Sequence, residues 1–589
     1  MTRKKQTRLG IVKEYMSTHK YARWFLWYIA PSLIVLLFFS IYLFSGNKLI
    51  SGDFDYYAQL YEAARITILD YHQFPDWNPW MSGGIPLYAN PQYGLVSVQT
   101  LTTLLFGGVY GLKIAYIIYA LAGYWGMYFF VELVTKTDRL RAHLLSFIWV
   151  ASGFFYGHNI SHFTFSSFFL IPWLMLLLYA RHTIRRSWIF TGVLLGLLGL
   201  SSIHYAFLMM LFVYVIFVTG QILLQIVMTL KKQSTLTKLK KEIFFAVGSM
   251  TVATILLSHK VIATFAYMTA NERLVSHTEK YPDLLLLIKA MFLPIGSLLT
   301  TPSNLQWGWG EYSMYIGLGT GMAFVIGVLL LFYKKHSYAL RGKGGLLLSF
   351  MAFIVLCTLI ALGDRGHYSA FSLLRELPGF EQTRVPSRWM IFTVFFILST
   401  VALFKSYRHL VNVFLVAGCL ELAYLHGPIS MARWNMIDTS GSHFGTFQQY
   451  DNEHKHTVTE PSKKNSFYYA TRNNQGQIYS IDSVVDTFDG IYATSRCGIN
   501  LTHKCSFIQS DNASIVYWSP NKVVLKRTGP GLIQLNMNPY YRWKVNTAYP
   551  FNTYRKLDPV NNFVINDESL ILTITYTPRY SPYWLQDRL

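Results

Sequence analysis

The sequence predicts a polytopic α-helical membrane protein with about eleven transmembrane helices and a C-terminal extracytoplasmic β-sandwich-like domain. Apolar residues form 52% of the 589-residue chain and charged residues only 14%, against roughly 25% charged residues in soluble domains. The apolar residues also cluster in blocks long enough to cross a bilayer. We therefore predict a basic cytoplasmic N-terminus (1–23), a transmembrane domain (24–426) and an outer β-rich domain (427–589).

The net charge of +22 is spread over the connections between the apolar blocks. Alternate connections between the apolar blocks together hold nearly half of the 51 lysines and arginines, whereas the short connections 158–163 and 201–204 contain none. An excess of basic residues in alternate connections marks the cytoplasmic side of a membrane protein. The pattern explains the charge without a nucleic-acid partner. It predicts a plasma-membrane protein with its N-terminus inside and its C-terminal domain outside.

Eleven spans follow from the apolar blocks, most of them long enough to cross a hydrocarbon core of about 30 Å. Their predicted ranges are 24–45, 110–134, 141–157, 164–180, 187–203, 205–229, 243–265, 314–333, 345–363, 389–404 and 409–426. Three long outer loops result, at 46–109, 266–313 and 364–388. A turn between helices needs only about two to eight residues, so we expect the function to lie in these loops.

The outer domain shows short runs of alternating apolar and polar residues, separated by glycine and proline, which predict an antiparallel β structure. The predicted strands are 514–519, 522–526, 532–537, 543–549 and 570–576. Cys497 and Cys505 also lie in this domain, where a disulfide bond between them is permitted.

The first outer loop opens with Gly52-Asp53-Phe54-Asp55, which places two carboxylates just beyond the first span. A helical stretch follows over 57–69 and is expected to lie along the membrane surface. One carboxylate, with Asp55 the better candidate, would serve as the N-cap of this helix. Capping does not explain why both acids occur together beside the Trp-, Pro- and Gly-rich stretch 74–88.

The 52–55 motif, the stretch from Trp77-Asn78-Pro79 to Gly83-Gly84-Ile85-Pro86, and the predicted topology resemble the GT-C superfamily. Its members are membrane glycosyltransferases that take sugars from polyprenyl-phosphate donors. Within it, the chain is most similar to the YfhO-like bacterial membrane proteins. The narrower resemblance rests on the stretches 157–162, 377–388, 538–544 and 575–578. Arg542 stands where that family's tail pattern has glycine, and no clear final glycine follows Pro578, so the tail match is weaker.

The resemblance implies transfer of a sugar from a polyprenyl-phosphate-linked donor to a cell-envelope acceptor, on the extracytoplasmic side and with inversion. The acceptor would be a glycan, a teichoic-acid-like polymer or a lipid. The resemblance makes Asp53 the catalytic base, with Asp55 as the second choice or as a partner that orients the acceptor. Arg384 and Arg388 are predicted to bind the donor phosphate, because guanidinium groups pair well with phosphate oxygens.

Further candidates lie in the other outer connections. Glu311 and Tyr312 open the eighth predicted span and are candidate substrate ligands, although a helix N-terminus also favours an acid by its dipole. His158 and His162 are candidate contacts to the sugar or acceptor, with interfacial hydrogen bonding as the alternative. Asp53, Asp55 and Glu311 together offer oxygen ligands of the kind that suit Mg²⁺ or Mn²⁺, and the sequence leaves metal use open.

Two other function classes remain open at this stage: a transporter or lipid flippase, and a non-catalytic envelope-assembly protein. Transporters usually carry internal repeats and ionisable residues at the membrane midplane. The sequence shows no internal repeat, and its acids gather at the predicted outer interface. A non-catalytic protein would keep the fold and tolerate the loss of Asp53.

Overall fold

The helices form one large bundle in the computed structural model, which describes only part of the chain. The described residues are 25–44, 46, 48–49, 53–81, 83–158, 163–203, 205–270, 281–293, 309–331, 343–381, 383–404, 408–433, 437–438, 446–450, 466–477, 504–505, 507–508, 511–535, 537, 543–546, 563–565 and 570–576. The α-helices are α1 (Ala30–Phe44), α2 (Asp53–Leu69), α3 (Val98–Phe106), α4 (Gly108–Phe130), α5 (Arg139–Ala151), α6 (Gly153–His158), α7 (Ile171–Tyr179), α8 (Ser187–Ser201), α9 (Tyr205–Leu230), α10 (Leu236–Ala270), α11 (Leu284–Phe292), α12 (Leu318–Leu331), α13 (Gly344–Ala361), α14 (Ala370–Arg375), α15 (Met390–Leu403), α16 (Arg408–Arg433) and α17 (Phe467–Arg472). Short π or 3-10 turns occur at Phe25–Ile29, Val131–Thr135, Phe163–Leu170, Trp309–Tyr312 and Pro386–Trp389.

Apolar helices long enough to span a membrane are the main feature of the bundle. Within the described residues, six segments meet this condition: Phe25–Phe44, Gly108–Thr135, Tyr205–Leu230, Leu236–Met268, Gly344–Ala361 and Pro386–Leu403. Four shorter apolar helices accompany them: Thr164–Tyr179, Ser187–Ser201, Leu318–Leu330 and His409–Leu425. Each of the eleven predicted spans falls on helix. The chain is thus a polytopic α-helical membrane protein, as predicted.

The segment Pro386–Leu403, which includes α15, is completely buried and lies at the centre of the bundle. Phe395 contacts the rings of Phe130 on α4 and Trp149 on α5, with centroids 4.9 and 5.8 Å away. Phe396 stacks on Phe353 of α13 at 4.8 Å. Because neighbouring helices surround α15, the residues just before it lie in the middle of one end of the bundle.

Helix α2 crosses this same end and is buried without interruption from Phe54 to Ala64. The expectation of a helix that buries only one apolar face is wrong, because the polar side of α2 is buried as well. A surface helix exposes its polar side, but here Asp55, Gln59 and Glu62 are each 0% exposed. The physical reason is that residues of the C-terminal region, around α17, cover that side with hydrogen-bonding groups.

The C-terminal region is built from short β-strands, as the alternating runs predict. The strands of the chain are β1 (Lys48–Leu49), β2 (Trp77–Asn78), β3 (Ile85–Pro86), β4 (Ile437–Asp438), β5 (Gln448–Tyr450), β6 (Gln475–Gln477), β7 (Lys504–Cys505), β8 (Ala513–Ser519), β9 (Lys522–Arg527), β10 (Ile533–Leu535), β11 (Trp543–Asn546), β12 (Phe563–Ile565) and β13 (Ile571–Tyr576). An antiparallel sheet of order β11-β13-β9-β8 and a β10-β12 pair share one hydrophobic core. β5 pairs with β6 and β7, and β1 pairs with β4. Cys497 lies outside the described residues, so the 497–505 disulfide stays a prediction.

The Trp-rich part of the first loop forms the small hairpin β2–β3. Its turn contains Gly84 at φ +100°, where a Cβ atom would lie 2.5 Å from the Trp77 ring. Trp77 in turn belongs to the hydrophobic core of the C-terminal β-strands, where it contacts Trp543. Asn521, in the β8–β9 turn, accepts from the Trp77 backbone N–H and donates to the Phe74 carbonyl at 3.2 and 2.7 Å. The first loop is thus packed against both the bundle and the C-terminal sheets.

A glycine contact fixes the segment that follows the Trp309–Tyr312 turn. Gly153 donates its N–H to the Tyr315 carbonyl and accepts from the Ser313 hydroxyl, both at 2.7 Å. A Cβ atom on Gly153 would lie 2.5 Å from the Tyr315 nitrogen, so we expect Gly153→Ala to destabilise the protein by about 1–3 kcal/mol through overpacking. Gly220→Ala, where a Cβ atom meets nothing within 4 Å, is the matched control. Equal thermal unfolding midpoints for the two variants in detergent would contradict this packing.

Candidate active site

Arg388 and Glu311 form a two-pronged ion pair at the end of the central helix. The Arg388 Nε and Nη2 groups donate to the two carboxylate oxygens at 2.9 and 2.6 Å. Arg388 is only 4% exposed. The neighbouring Ser387 hydroxyl donates to the Glu311 backbone carbonyl at 2.8 Å, which holds the acid's own backbone in place. Two residues predicted from separate outer loops therefore meet in one largely buried contact.

His158 joins this pair from the end of α6. Its Nε2 atom lies 3.2 Å from a Glu311 carboxylate oxygen, and its Nδ1 atom lies 3.1 Å from the Phe154 carbonyl. Burial lowers the pKa of His158, and contact with Glu311 offsets this only in part. Burial alone would raise the pKa of Glu311, but the charges and hydrogen bonds of Arg388 and His158 hold it well below its usual range. Glu311 is therefore an anion that organises both basic groups.

Two aromatic rings enclose the Arg388 guanidinium. Its central carbon lies 4.7 Å from the Phe165 ring centroid and 4.3 Å from the Tyr205 centroid, which is a favourable cation–π arrangement. The bonds to Glu311 use only Nε and Nη2. Among the described residues no hydrogen bond reaches the Nη1 group, so this edge of the guanidinium remains available to a ligand.

Helix α2 presents one face to this cluster and the opposite face to the C-terminal region. Tyr57 is close enough to Arg388 to interact with it electrostatically. At about 100° per residue, Asp53 lies about 40° from Tyr57 around the helix and about 160° from Asp55. Asp53, which is partly exposed, therefore shares the face that looks toward Arg388, whereas Asp55 does not.

Asp55 instead binds the N-terminus of α17. Its carboxylate accepts from the Ser466 hydroxyl at 2.8 Å and from the Phe467 and Tyr468 backbone N–H groups at 2.7 and 3.0 Å. The expectation that Asp55 is the N-cap of its own helix is wrong, because Asp55 lies within the first turn of α2, and its carboxylate instead binds the first turn of α17, whose N-cap is Ser466. Complete burial raises the pKa of Asp55 to about 6, although its three hydrogen-bond donors act in the opposite direction.

This pKa shift predicts a pH dependence of stability. The pKa of Asp55 rises from 3.8 to about 6 on folding, so the folded protein binds this proton more tightly than the unfolded chain does. The resulting stabilisation, on the order of 3 kcal/mol, is complete below the unfolded pKa and lost as the pH rises to about 6. We expect the thermal midpoint in detergent to fall more steeply between about pH 4 and pH 6 in the wild type than in Asp55→Asn. Parallel curves for the two proteins would contradict the assignment.

The remaining predicted residues lie nearby or outside the described part of the chain. Tyr312 is 1% exposed and directly follows Glu311 in the 3-10 turn. Arg384 is partly exposed, one turn before Arg388 in the segment that leads into the central helix. His162 lies outside the described residues, so its role stays a prediction.

The carboxylates predicted as metal ligands do not form one cation site in the described part of the chain. No three His, Cys, Asp or Glu side chains there group closely enough to hold a metal ion. The Asp55 oxygens accept from three groups of the α17 N-terminus, and the Glu311 oxygens accept from Arg388, with His158 Nε2 3.2 Å from one of them. Donor groups, rather than space for a cation, surround these two acids.

Sequence reasoning did not identify the aromatic part of the cluster. Phe165, Tyr205 and Tyr57 contact or approach Arg388 from three different elements. Only Tyr57 carried a usable signal, because it follows Asp53 by one helical turn. Phe165 and Tyr205 lie in long apolar runs, where nothing distinguishes them from ordinary packing residues.

A separate narrow cleft lies between the first-loop hairpin and the C-terminal sheets. Its walls include Trp77, Trp518 and Trp543, together with Phe447 and Phe507. Phe447 and Trp518 stack on each other with centroids 4.0 Å apart, so these ring faces are already in contact. The cleft does not include Arg388 or Glu311 and is distinct from the ion-pair cluster.

Comparisons with known proteins find only distant similarity. No protein-family model matches the chain, and no curated protein matches it. Among solved structures, the chain is similar to the arabinofuranosyltransferase AftD from Mycobacteria, with 13% identity, a TM-score of 0.37, and coverage of 70% of this chain and 27% of that one. It is also similar to ArnT from Cupriavidus metallidurans bound to undecaprenyl phosphate, with 12% identity, a TM-score of 0.37, and coverage of 79% and 88%.

Similarities of this size carry no argument about activity, and the YfhO-like resemblance stays a prediction. The chain itself defines a multi-pass membrane protein with a C-terminal sheet region. Its buried Arg388–Glu311–His158 cluster lies at the end of the bundle that α2 covers.

Proposed function

We propose that the protein is a GT-C-type membrane glycosyltransferase. It transfers a sugar from a polyprenyl-phosphate-linked donor to a cell-envelope acceptor on the extracytoplasmic side. The observation that carries the proposal is the electrostatic interaction of Tyr57 on α2 with Arg388, because Tyr57 lies one helical turn after Asp53 on the same face of the helix. A base beside a phosphate-binding cation is the minimum that this reaction needs.

In the proposed reaction Asp53 accepts the proton of the acceptor hydroxyl. The hydroxyl oxygen then attacks the anomeric carbon of the sugar, and the bond from that carbon to the phosphate oxygen breaks. The polyprenyl phosphate leaves with the bonding electron pair. A single displacement of this kind inverts the configuration at the anomeric carbon, and the protonated Asp53 returns its proton to solvent.

The leaving phosphate is the group that Arg388 and Arg384 bind. Glu311 takes two donors of Arg388 and so fixes the plane of the guanidinium, which leaves Nη1 directed to a ligand. Phe165 and Tyr205 pack against that guanidinium and keep it largely buried. A preorganised cation in a water-poor site stabilises developing negative charge more strongly than one in water. His158 and Tyr312 complete the cluster beside Glu311.

The proposal is tested with the purified protein in nanodiscs and a panel of radiolabelled polyprenyl-phosphate sugars. We expect protein-dependent release of polyprenyl phosphate together with transfer of label to an envelope acceptor fraction. A transporter or flippase would move intact donor lipid across the bilayer without releasing polyprenyl phosphate. Intact donor throughout, with any envelope fraction added, would remove the enzyme assignment.

A further inference from the structure

The C-terminal segment 466–474 meets the side of α2 that faces away from Arg388. At its start, three backbone N–H groups in the first turn of α17 have hydrogen-bond acceptors outside the helical ladder. Phe467 and Tyr468 donate to Asp55, and Tyr469 donates to the Ser466 hydroxyl at 3.1 Å. Helix N-termini leave such groups without intrahelical partners. Asp55, from a distant part of the chain, therefore provides the hydrogen-bond acceptors that the N-terminus of α17 lacks.

The contact continues along the same side of α2. Gln59 donates to the Thr471 hydroxyl and exchanges hydrogen bonds with Asn78, all at 3.1 Å. One helical turn further, Glu62 accepts from Arg472 at 3.0 Å and from the Gly108 backbone N–H at 2.9 Å.

A further hydrogen bond ties this segment to the first-loop hairpin. The Trp80 indole N–H donates to the Asn474 side-chain oxygen at 2.8 Å, and both residues are buried. Asp55, Gln59 and Glu62, spaced four and three residues apart, form one stripe on α2. Each position of the stripe is thus matched by a polar partner in 466–474.

From these contacts we infer that segment 466–474 is a clamp that positions α2, with Asp55 as its central positioning residue. The inference rests on the proposed function, because the side of α2 opposite the clamp carries Asp53 toward Arg388. Because a helix is rigid, holding one side of α2 also fixes the position of the residues on its opposite side. Loosening the clamp therefore shifts the Asp53 carboxylate. A displacement of about 1 Å in a catalytic group costs on the order of 100-fold in rate.

Hydrogen–deuterium exchange of the full-length protein in nanodiscs tests the clamp without any substrate. In Asp55→Ala, we expect the Phe467 and Tyr468 amides to exchange at least 10-fold faster than in the wild type. Asp55→Asn, which keeps one acceptor oxygen, is expected to lie between the two. Asp70→Asn removes the same charge from the exposed end of α2 and is expected to leave this exchange unchanged. Unchanged exchange in both Asp55 variants overturns the clamp, whether or not the protein transfers sugar.

The positioning role has its own readout. In the nanodisc transfer assay we expect Asp55→Ala to lower kcat about 10- to 100-fold with little change in KM for the donor, because donor binding belongs to Arg388. Ser466→Ala, which leaves the two backbone bonds to Asp55, is expected to lower kcat less. A rise in KM with unchanged kcat, or full activity alongside faster exchange, overturns the positioning role while leaving the proposed enzyme in place.

Discussion

Replacing Asp53 by asparagine is expected to lower the rate of sugar transfer by about 10²–10⁴-fold, the usual contribution of a general base. Asparagine has nearly the same shape but cannot accept the proton of the acceptor hydroxyl. Donor binding depends on Arg388 and Arg384 in this account, so we expect the affinity for the polyprenyl-phosphate sugar to stay within about 3-fold. The transfer rate and donor affinity are measured on the same nanodisc preparation.

Asp70→Asn is the matched control for Asp53→Asn, because it removes an acid from the exposed end of the same helix. It is expected to keep full activity. Comparable transfer by the wild type and Asp53→Asn would show that this carboxylate is not the base, and the envelope-assembly alternative would then fit better. A similar loss in both variants would point instead to general damage to α2.

Arg388→Met is expected to have two effects, on stability and on donor binding. It removes one partner of a buried ion pair and leaves the Glu311 carboxylate without its strongest partner, which typically costs about 3–5 kcal/mol. It also removes the Nη1 edge that we assign to the donor phosphate. We expect a lower thermal midpoint together with the loss of the stabilisation that undecaprenyl phosphate gives the wild type.

The double variant Arg388→Met/Glu311→Gln separates these effects, because it leaves no unpaired carboxylate. We expect it to recover most of the stability and none of the stabilisation by undecaprenyl phosphate. Arg365→Met, in the same long loop, is the charge control and should respond to the lipid like the wild type. Undecaprenyl phosphate that stabilises the double variant as strongly as the wild type would rule out Arg388 as the phosphate ligand.

The sequence alone predicts that His158, Glu311 and Arg388 lie at one end of the bundle. Each lies beside an apolar block on the side that the distribution of basic residues marks as outer, so the topology alone predicts their proximity. The strand positions in the C-terminal region could also be predicted, because alternation of apolar and polar residues indicates a half-buried strand.

The different roles of Asp53 and Asp55 could not be read from the sequence. The two acids are chemically identical and two residues apart, and only the helix rotation separates their surroundings. The partner of Asp55 is a six-residue helix whose N-cap, Ser466, lies 411 residues later, and such a short helix leaves no periodic signal. Burial of both sides of α2 likewise depends on that distant segment, so the sequence predicted a surface helix.

The most direct test is a cryo-EM map of the protein in nanodiscs with undecaprenyl phosphate. We expect the phosphate to lie within hydrogen-bonding distance of the Arg388 Nη1 group, with the Asp53 carboxylate facing the same space. Phosphate density elsewhere on the bundle, with Arg388 still bound only to Glu311, would contradict it.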